Sequence, residues 1–328
     1  MQVINGLHQI KTSMIRPHLP YVMSYAFEDK NGGVTLFDTG FGTDNATLEL
    51  ENGLNEIGYS LDSINNIIIS HAHPDHIGMI DRIRKKNKHF NLIMSSVEYG
   101  WVNSRKSRNW QEIGNAWLSK HGMSADEIAN SQQDSQWKNI EWPSLQDAEV
   151  VNDADTMEYG PWSFEFIHTP GHTIGHICLY ERNNKFLLTG DHILPHISPN
   201  VSVDFEGKNS DALIKYMGSL KKVLNFETKL VLPAHEFAFK NLLERVNELL
   251  QHHEDRLKEH IHSFSSKPMT AVEVAREVSW NTGNFNNFNL MMKRSAIGET
   301  VAHLELLVAN NQLVKINGGH KEVIWNLT

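Results

Sequence analysis

Between Ile67 and Gly78 the chain reads Ile-Ile-Ile-Ser-His-Ala-His-Pro-Asp-His-Ile-Gly. Imidazoles and carboxylates are the side chains that hold divalent transition metals. Four of them, His71, His73, Asp75 and His76, fall within six residues. The order His-x-His-x-Asp-His does not stack them on one helix face as an i, i+4 pair would. Pro74 also pushes His73 towards extended backbone. A tight turn at a strand end can aim such side chains at more than one point, and two metal ions would use that divergence. The plain alternative is a polar turn with surface histidines. With 19 His in the chain, clustering alone means little, and it is the strict order that favours metal.

Further candidate ligands each follow a short apolar stretch. Val34 to Phe37 runs into Asp38-Thr39-Gly40, and Phe164 to Ile167 into His168-Thr169-Pro170-Gly171-His172. Lys185 to Leu188 runs into Thr189-Gly190-Asp191, and Leu230 to Leu232 into Pro233-Ala234-His235. Pro170-Gly171 makes a turn that presents His172. Asp38 is either a turn residue or a carboxylate that orients a ligand histidine. His176, His192 and His196 lie near these residues in sequence and read as supporting or surface groups. Strand ends gathered along one sheet edge are a rigid way to hold a metal cluster.

The elements that must supply those strand ends can be traced. Residues 3 to 37 alternate like strands, with a hairpin turn at Asn31-Gly32-Gly33. A helix is expected from Asp44 to Ile57, capped by Thr43 or Asp44 and ended by Gly58. Ile67 to Ile69 is a buried strand, Ile77 to Lys86 a helix, and Leu92 to Met94 a strand. Residues 96–149 form a polar, helical insertion carrying Trp101, Trp110, Trp117, Trp137 and Trp142. Aromatic content argues against disorder, so this insertion reads as a lid, or as helices that the tryptophans merely anchor. Arg105, Lys106 and Arg108 read as a solvated basic run. Ile177 to Tyr180 and Lys185 to Leu188 make a hairpin, and Asp211 to Leu224 a helix. Beyond His235, Leu242, Val246, Leu249, Leu257 and Ile261 keep helical spacing, interrupted by His252 and His253. After a break at Ser265-Ser266-Lys267-Pro268, Thr270 caps a helix to Val278, and another helix runs from Glu299 to Ala309. Val314 to Ile316 and Val323 to Trp325 flank Asn317-Gly318-Gly319 as a terminal hairpin. The expected domains are 1–240 and 241–328.

Hydrophobic residues are 40% and charged residues 21% of the 328, which suits a soluble globular protein. The net charge of −9 offers no global field for nucleic acid. Residues 240–328 carry ten Lys/Arg and ten Asp/Glu. That balance gives little support to a nucleic-acid-binding wing and favours packing or dimerisation. No apolar stretch is long enough to span a membrane, Met1 to Met14 lacks a secretory pattern, and the cytoplasm is the expected location. The single cysteine, Cys178, reads as a buried strand residue and leaves no intramolecular disulfide or Cys-rich zinc knuckle.

Asp38 in Leu-Phe-Asp-Thr-Gly, the His71–His76 loop, His172 in Thr-Pro-Gly-His-Thr, Asp191 in Thr-Gly-Asp and His235 in Pro-Ala-His appear in order. Together they resemble the metallo-β-lactamase superfamily over residues 1 to about 240. More loosely, the tail resembles the branch with a winged-helix C-terminus, which includes endoribonucleases and acyl-carrier thioesterases. The resemblance implies an α/β fold, a four-layer αβ/βα sandwich, followed by a small helical, winged-helix-like domain. It implies that His71, His73 and His172 hold one metal ion, that Asp75, His76 and His235 hold a second, and that Asp191 bridges them. Asp38, Asp75 and Asp191 are the carboxylates expected to serve the reaction. Zn²⁺ suits these donors, with Fe or Mn as alternatives. A hydroxide shared by two ions about 3.5–4 Å apart would be the nucleophile. The absence of cysteine at the second site departs from the true β-lactamases and resembles hydrolase branches such as glyoxalase II. The implied function is hydrolysis of an ester, thioester or lactone, with a small-molecule substrate; a homodimer is one assembly the tail would allow, and the sequence does not fix the oligomeric state. The alternatives are an endoribonuclease or phosphodiesterase of the same fold, and a metal-containing binding protein without catalysis.

Overall fold

The structure, a computed structural model, describes all residues except 17–18, 30–31, 106–107, 132–141, 208, 265–266 and 318–321. Asn31, Lys106, Trp137, Ser265-Ser266 and Gly318-Gly319, which carried expectations above, lie outside the described residues. In chain order the first elements are β1 (Gln2–Ile4), β2 (Leu7–Arg16), β3 (Leu19–Glu28), β4 (Val34–Phe37) and α1 (Asp44–Glu56). There follow β5 (Ile64–Ile68), α2 (Pro74–Ile77), α3 (Ile80–Lys86), β6 (Asn91–Ser95) and α4 (Ser96–Ser104). The middle of the chain supplies α5 (Trp110–Lys120), α6 (Ala125–Ser131), β7 (Glu149–Val151), β8 (Thr156–Tyr159) and β9 (Trp162–His168). Next are β10 (Ile177–Glu181), β11 (Phe186–Gly190), α7 (Ala212–Val223), β12 (Leu230–Pro233) and α8 (Leu242–Ser263). The last are α9 (Ala271–Glu277), α10 (Leu290–Ala309), β13 (Leu313–Asn317) and β14 (Val323–Leu327).

The chain divides into two compact units. One comprises residues 1–106, 140–199 and 219–246; the other comprises 107–139, 200–218 and 247–328. These units are discontinuous in sequence, unlike the contiguous domains 1–240 and 241–328 drawn from the sequence. Side-chain packing within the second unit shows why. The Trp117 ring lies 5.3 Å from that of Phe205, and Arg294 reaches both the Phe205 face and Asn115.

The first unit is an α/β sandwich. A seven-stranded sheet runs β1 to β7 in sequence order, and a five-stranded sheet runs β12-β11-β10-β9-β8. Strands β4 to β7 are parallel, and the period-2 alternation of side chains divides their residues between two cores. Phe37, Ile68 and Ile93 face the second sheet and meet Phe164, Phe166, Leu179, Phe186 and Leu188. Leu36, Ile67, Ile69, Leu92 and Met94 face the opposite way, onto Ala46, Leu50 and Leu54 of α1 and Ile80 and Ile83 of α3. Strands buried on both faces read as unbroken apolar runs, which is why Ile67 to Ile69 stood out. The Thr43 hydroxyl accepts the Ala46 N–H and caps α1. Gly58, at φ +86°, turns the chain out of it.

Two helices differ from expectation. The helix expected from Ile77 starts earlier, with Pro74 in its first turn, and breaks before Ile80. Proline is preorganised for that first helical position, so His76 sits on a helical turn. In the second unit α10 begins at Leu290, not Glu299, because the Asn289 side chain caps it by accepting the Met292 N–H. From Ala296 to Leu304 its side chains are buried almost continuously, and burial all round blurs the apolar stripe that marks a helix in sequence. Thr270 and Glu273 form the capping box of α9. The β13–β14 hairpin closes the chain.

Candidate metal centre

All seven expected ligands come together in the first unit. Strands β4, β5 and β6 are parallel, and so are β11 and β12. β9 and β11 both run antiparallel to β10 and therefore share a direction. The C-terminal strand ends thus deliver Asp38 after β4, His71 after β5, His172 after β9, Asp191 after β11 and His235 after β12. His71, His73, His172 and Asp191 each turn a donor atom into one group within 4.8 Å, and Asp75, His76 and His235 do so in another.

Hydrogen bonds fix which nitrogen faces inward. The Ser70 hydroxyl donates to Asp38 Oδ2 at 2.8 Å and accepts from His71 Nδ1 at 2.9 Å. The Ser70 N–H donates to Asp38 Oδ1 at 2.8 Å. His76 Nδ1 donates to Asp38 Oδ2 at 2.8 Å, and His235 Nδ1 donates to the Tyr21 carbonyl at 3.0 Å. Each of these three histidines therefore spends its Nδ1–H on an outer acceptor and leaves the Nε2 lone pair for the centre, the arrangement usual for metal-ligating imidazoles. The His76 and His235 Nε2 atoms and Asp191 Oδ1 are buried and make no hydrogen bond. Buried polar atoms without partners are costly, and a cation among them would satisfy all three.

The distances suit a tetrahedral ion. His71 Nε2, His73 Nδ1 and His172 Nε2 lie 2.9, 3.0 and 3.2 Å from one another. Zn–N bonds of about 2.0–2.1 Å give a tetrahedron with edges of about 3.3–3.4 Å. Burial, with the neighbouring rings, holds His71 well below its ordinary pKa, and burial with His172 takes His73 down to about 3, so both are neutral donors. In the other group burial pulls His76 and His235 down, but the Asp191 carboxylate beside them, joined by Asp38 at His76 and by Asp75 at His235, more than compensates and raises both. Burial would raise Asp191, yet His235 and His76 hold it well below the carboxylate range. This half of the centre favours positive charge, and a divalent cation can replace the protons it attracts.

Supporting groups complete the geometry. The Asp191 N–H donates to His176 Nε2 at 3.3 Å, while His176 Nδ1 meets the Thr169 hydroxyl at 2.8 Å. A Cβ at Gly190 would lie 2.8 Å from His176 Nε2 and from Ser70 Cβ, so the Thr-Gly-Asp turn needs its glycine. Met23 N–H donates to the Ala234 carbonyl at 2.7 Å, tying the His235 loop to β3.

Residues 19–235 match the family profile of the metallo-beta-lactamase superfamily. The chain belongs to that superfamily of metal-dependent hydrolases. It is 23% identical over 296 residues to a "Probable metallo-hydrolase YqjP" from Bacillus subtilis, covering 87% of each chain. Among superfamily structures, a metallo-beta-lactamase family protein from Thermus thermophilus aligns over 100% of both chains, with a TM-score of 0.83 and 24% identity. A beta-lactamase domain protein from Burkholderia ambifaria aligns over 100% of this chain and 94% of its own, with a TM-score of 0.81 and 21% identity. Those two likenesses concern the fold.

Not every residue singled out in the sequence joins the centre. His176 and His192 are buried beside it, and His196 is exposed, 3.6 Å from Glu236. Trp117 is buried in the second unit and Trp142 is exposed. Arg105 covers the Trp101 ring and Arg108 pairs with Glu206, so both have partners within the chain. Ser70 was not singled out at all, although it directly precedes His71. Its role depends on Asp38, which only the β4–β5 pairing brings alongside. No helix among the described residues is long and apolar enough to cross a membrane.

Proposed function

We propose that the protein is a binuclear metal-dependent hydrolase acting on an ester, thioester or lactone. His71, His73 and His172 hold one ion, Asp75, His76 and His235 hold the other, and Asp191 lies between them. The observation that carries this reading is the Asp191 carboxylate. Its Oδ2 lies 3.5 and 4.0 Å from the His172 and His71 Nε2 atoms, and its Oδ1 lies 3.3 and 3.5 Å from the His235 and His76 Nε2 atoms. One oxygen faces each set, as a bridge requires. Imidazole with carboxylate favours Zn²⁺, and Fe or Mn fit the same donors.

When bound, two such ions supply Lewis acidity to the scissile carbonyl and an activated water as nucleophile. The chain's own residues orient the donors. Asp38 fixes His76 directly and His71 through Ser70, and the Tyr21 carbonyl fixes His235. Covalent catalysis by cysteine has no support, because Cys178 is buried in β10 and burial pushes its thiol up to about 12. The likeness to the Bacillus relative, a probable metallo-hydrolase, supports the reaction class.

Metal analysis of the purified protein and of two variants, with turnover on acyl and phosphodiester panels, tests the proposal. The wild type should carry close to two ions and turn over acyl substrates. Asp191→Ala should lose both ions and turnover, whereas His235→Ala should mainly empty the second site. Two retained ions in Asp191→Ala would remove the bridge. Turnover confined to phosphodiesters would put the nuclease reading ahead.

A further inference from the structure

Glu98 lies outside every motif considered above, yet its carboxylate is buried beside the centre. It sits in the first turn of α4, which Ser95 caps by accepting the Glu98 N–H at 3.0 Å. The same Ser95 hydroxyl donates to the Gly175 carbonyl at 2.5 Å. The Glu98 side chain accepts three hydrogen bonds. The Ala72 N–H reaches Oε1 at 2.9 Å, while the Thr173 hydroxyl and the Gly175 N–H reach Oε2 at 3.0 and 2.9 Å. Ala72 lies between His71 and His73, and Thr173 follows His172.

One carboxylate therefore ties together the two loops that carry all three imidazoles of the first set. The approach is close: a Cβ at Gly175 would lie 2.2 Å from the Glu98 nitrogen and 2.6 Å from its Cα. A carboxylate also suits the position better than an amide. It only accepts, so it can meet three converging donors, whereas an amide would turn its own NH₂ towards an N–H. A buried charge is costly unless it is hydrogen-bonded in this way.

We propose that Glu98 is a positioning residue that holds the 71–73 and 172–175 loops in register, so that His71, His73 and His172 converge before the ion arrives. This rests on the binuclear reading above. The test measures Zn²⁺ stoichiometry and affinity by competition with a chromophoric chelator, alongside the melting temperature of the metal-free protein. Glu98→Gln should weaken the first site by about 10–100-fold, as loss of an outer partner does, and leave the second site unchanged. His235→Ala is the converse control and should weaken only the second. A role in stability alone would lower the melting temperature and leave both affinities of the folded protein intact; that result overturns the proposal while the binuclear reading stands. Wild-type protein that takes up no Zn²⁺ would overturn both. Should Glu98→Gln not fold, Thr173→Val, which removes one of the three donors with little change of shape, carries the test. It should weaken the first site in the same direction, and wild-type affinity there would overturn the clamp.

Discussion

Asp38 sits at φ 60°, a conformation that L residues other than Asn and Asp rarely adopt. Its carboxylate takes the Ser70 N–H and hydroxyl and the His76 Nδ1–H, so this strained turn aims one acidic group at the candidate ligand His76 directly and at His71 through Ser70. Substitutions there should separate two effects. Asp38→Asn keeps a side chain at ease with positive φ, and its stability should be close to wild type. Its NH₂, however, faces His76 Nδ1 and would drive the proton to Nε2, the nitrogen needed for metal. Metal affinity or activity should fall about 10–100-fold. Asp38→Ala should show the same loss and also destabilise the fold by about 1–3 kcal/mol, because alanine has no compensation for that backbone. Chelator competition and denaturant unfolding on both variants check this, and normal metal affinity in Asp38→Asn would refute the tautomer argument. The residues that gather at the candidate centre were legible in the sequence because their types and spacing are unusual in themselves. The roles of Ser70 and Glu98 were not, since each depends on contacts with residues far away in the chain.

At the scale of elements, each candidate ligand after a short apolar run was readable as a strand end, because parallel strands buried on both faces announce themselves. The C-terminal helices were less legible. His252 and His253 looked like a polar interruption of α8, but His253 is buried, as are His260 of α8 and His303 of α10. His303 Nδ1 donates to the Glu299 carbonyl at 2.8 Å, and its Nε2 accepts from His253 Nδ1 at 3.2 Å. His260 donates to the Arg256 carbonyl at 2.6 Å, and its ring stacks 4.7 Å from that of His303. These are neutral core residues. Burial lowers all three, taking His260 down to about 3 with Arg256 nearby adding to that effect, while the His303 ring disfavours charge on His253 and the His260 ring disfavours charge on His303. The folded value of His260 lies below its unfolded value of about 6.5, so the unfolded chain binds more protons between the two. Stability is full above about 6.5 and falls as the pH drops towards 3. His260→Gln keeps a donor for the Arg256 carbonyl but does not titrate. In chelator-treated full-length protein, its loss of stability between pH 6.5 and 5 should be shallower than that of the wild type, by up to about 1.4 kcal/mol per pH unit. Identical slopes would mean that His260 is protonated in the folded protein.

At the scale of the whole molecule, composition spoke to partners more than to architecture. A net charge of −9 and a balanced C-terminal region give no electrostatic footprint for nucleic acid. The discontinuous units could not be read, because helical periodicity shows that a segment packs but not against what. The candidate metal centre gives the sharpest test of how distant segments act together. Its donors come from residues 71 to 235, on loops that follow β5, β9, β11 and β12. An ion bound only when these loops are assembled should stabilise them jointly, by about 2.7 kcal/mol when free metal is 100 times its Kd. Hydrogen exchange reads this directly. The amides of His76, Asp191 and Ala234, bonded within or between these loops, and that of Ser70, bonded to Asp38 after β4, should slow together, by up to about 100-fold under that condition. Mg²⁺ should have little effect, since it selects oxygen ligands in octahedral geometry and five of the seven donors here are imidazoles. Equal slowing by Mg²⁺ and Zn²⁺ would point to a carboxylate-only site. No slowing with Zn²⁺ would show that the loops are held by their hydrogen bonds alone.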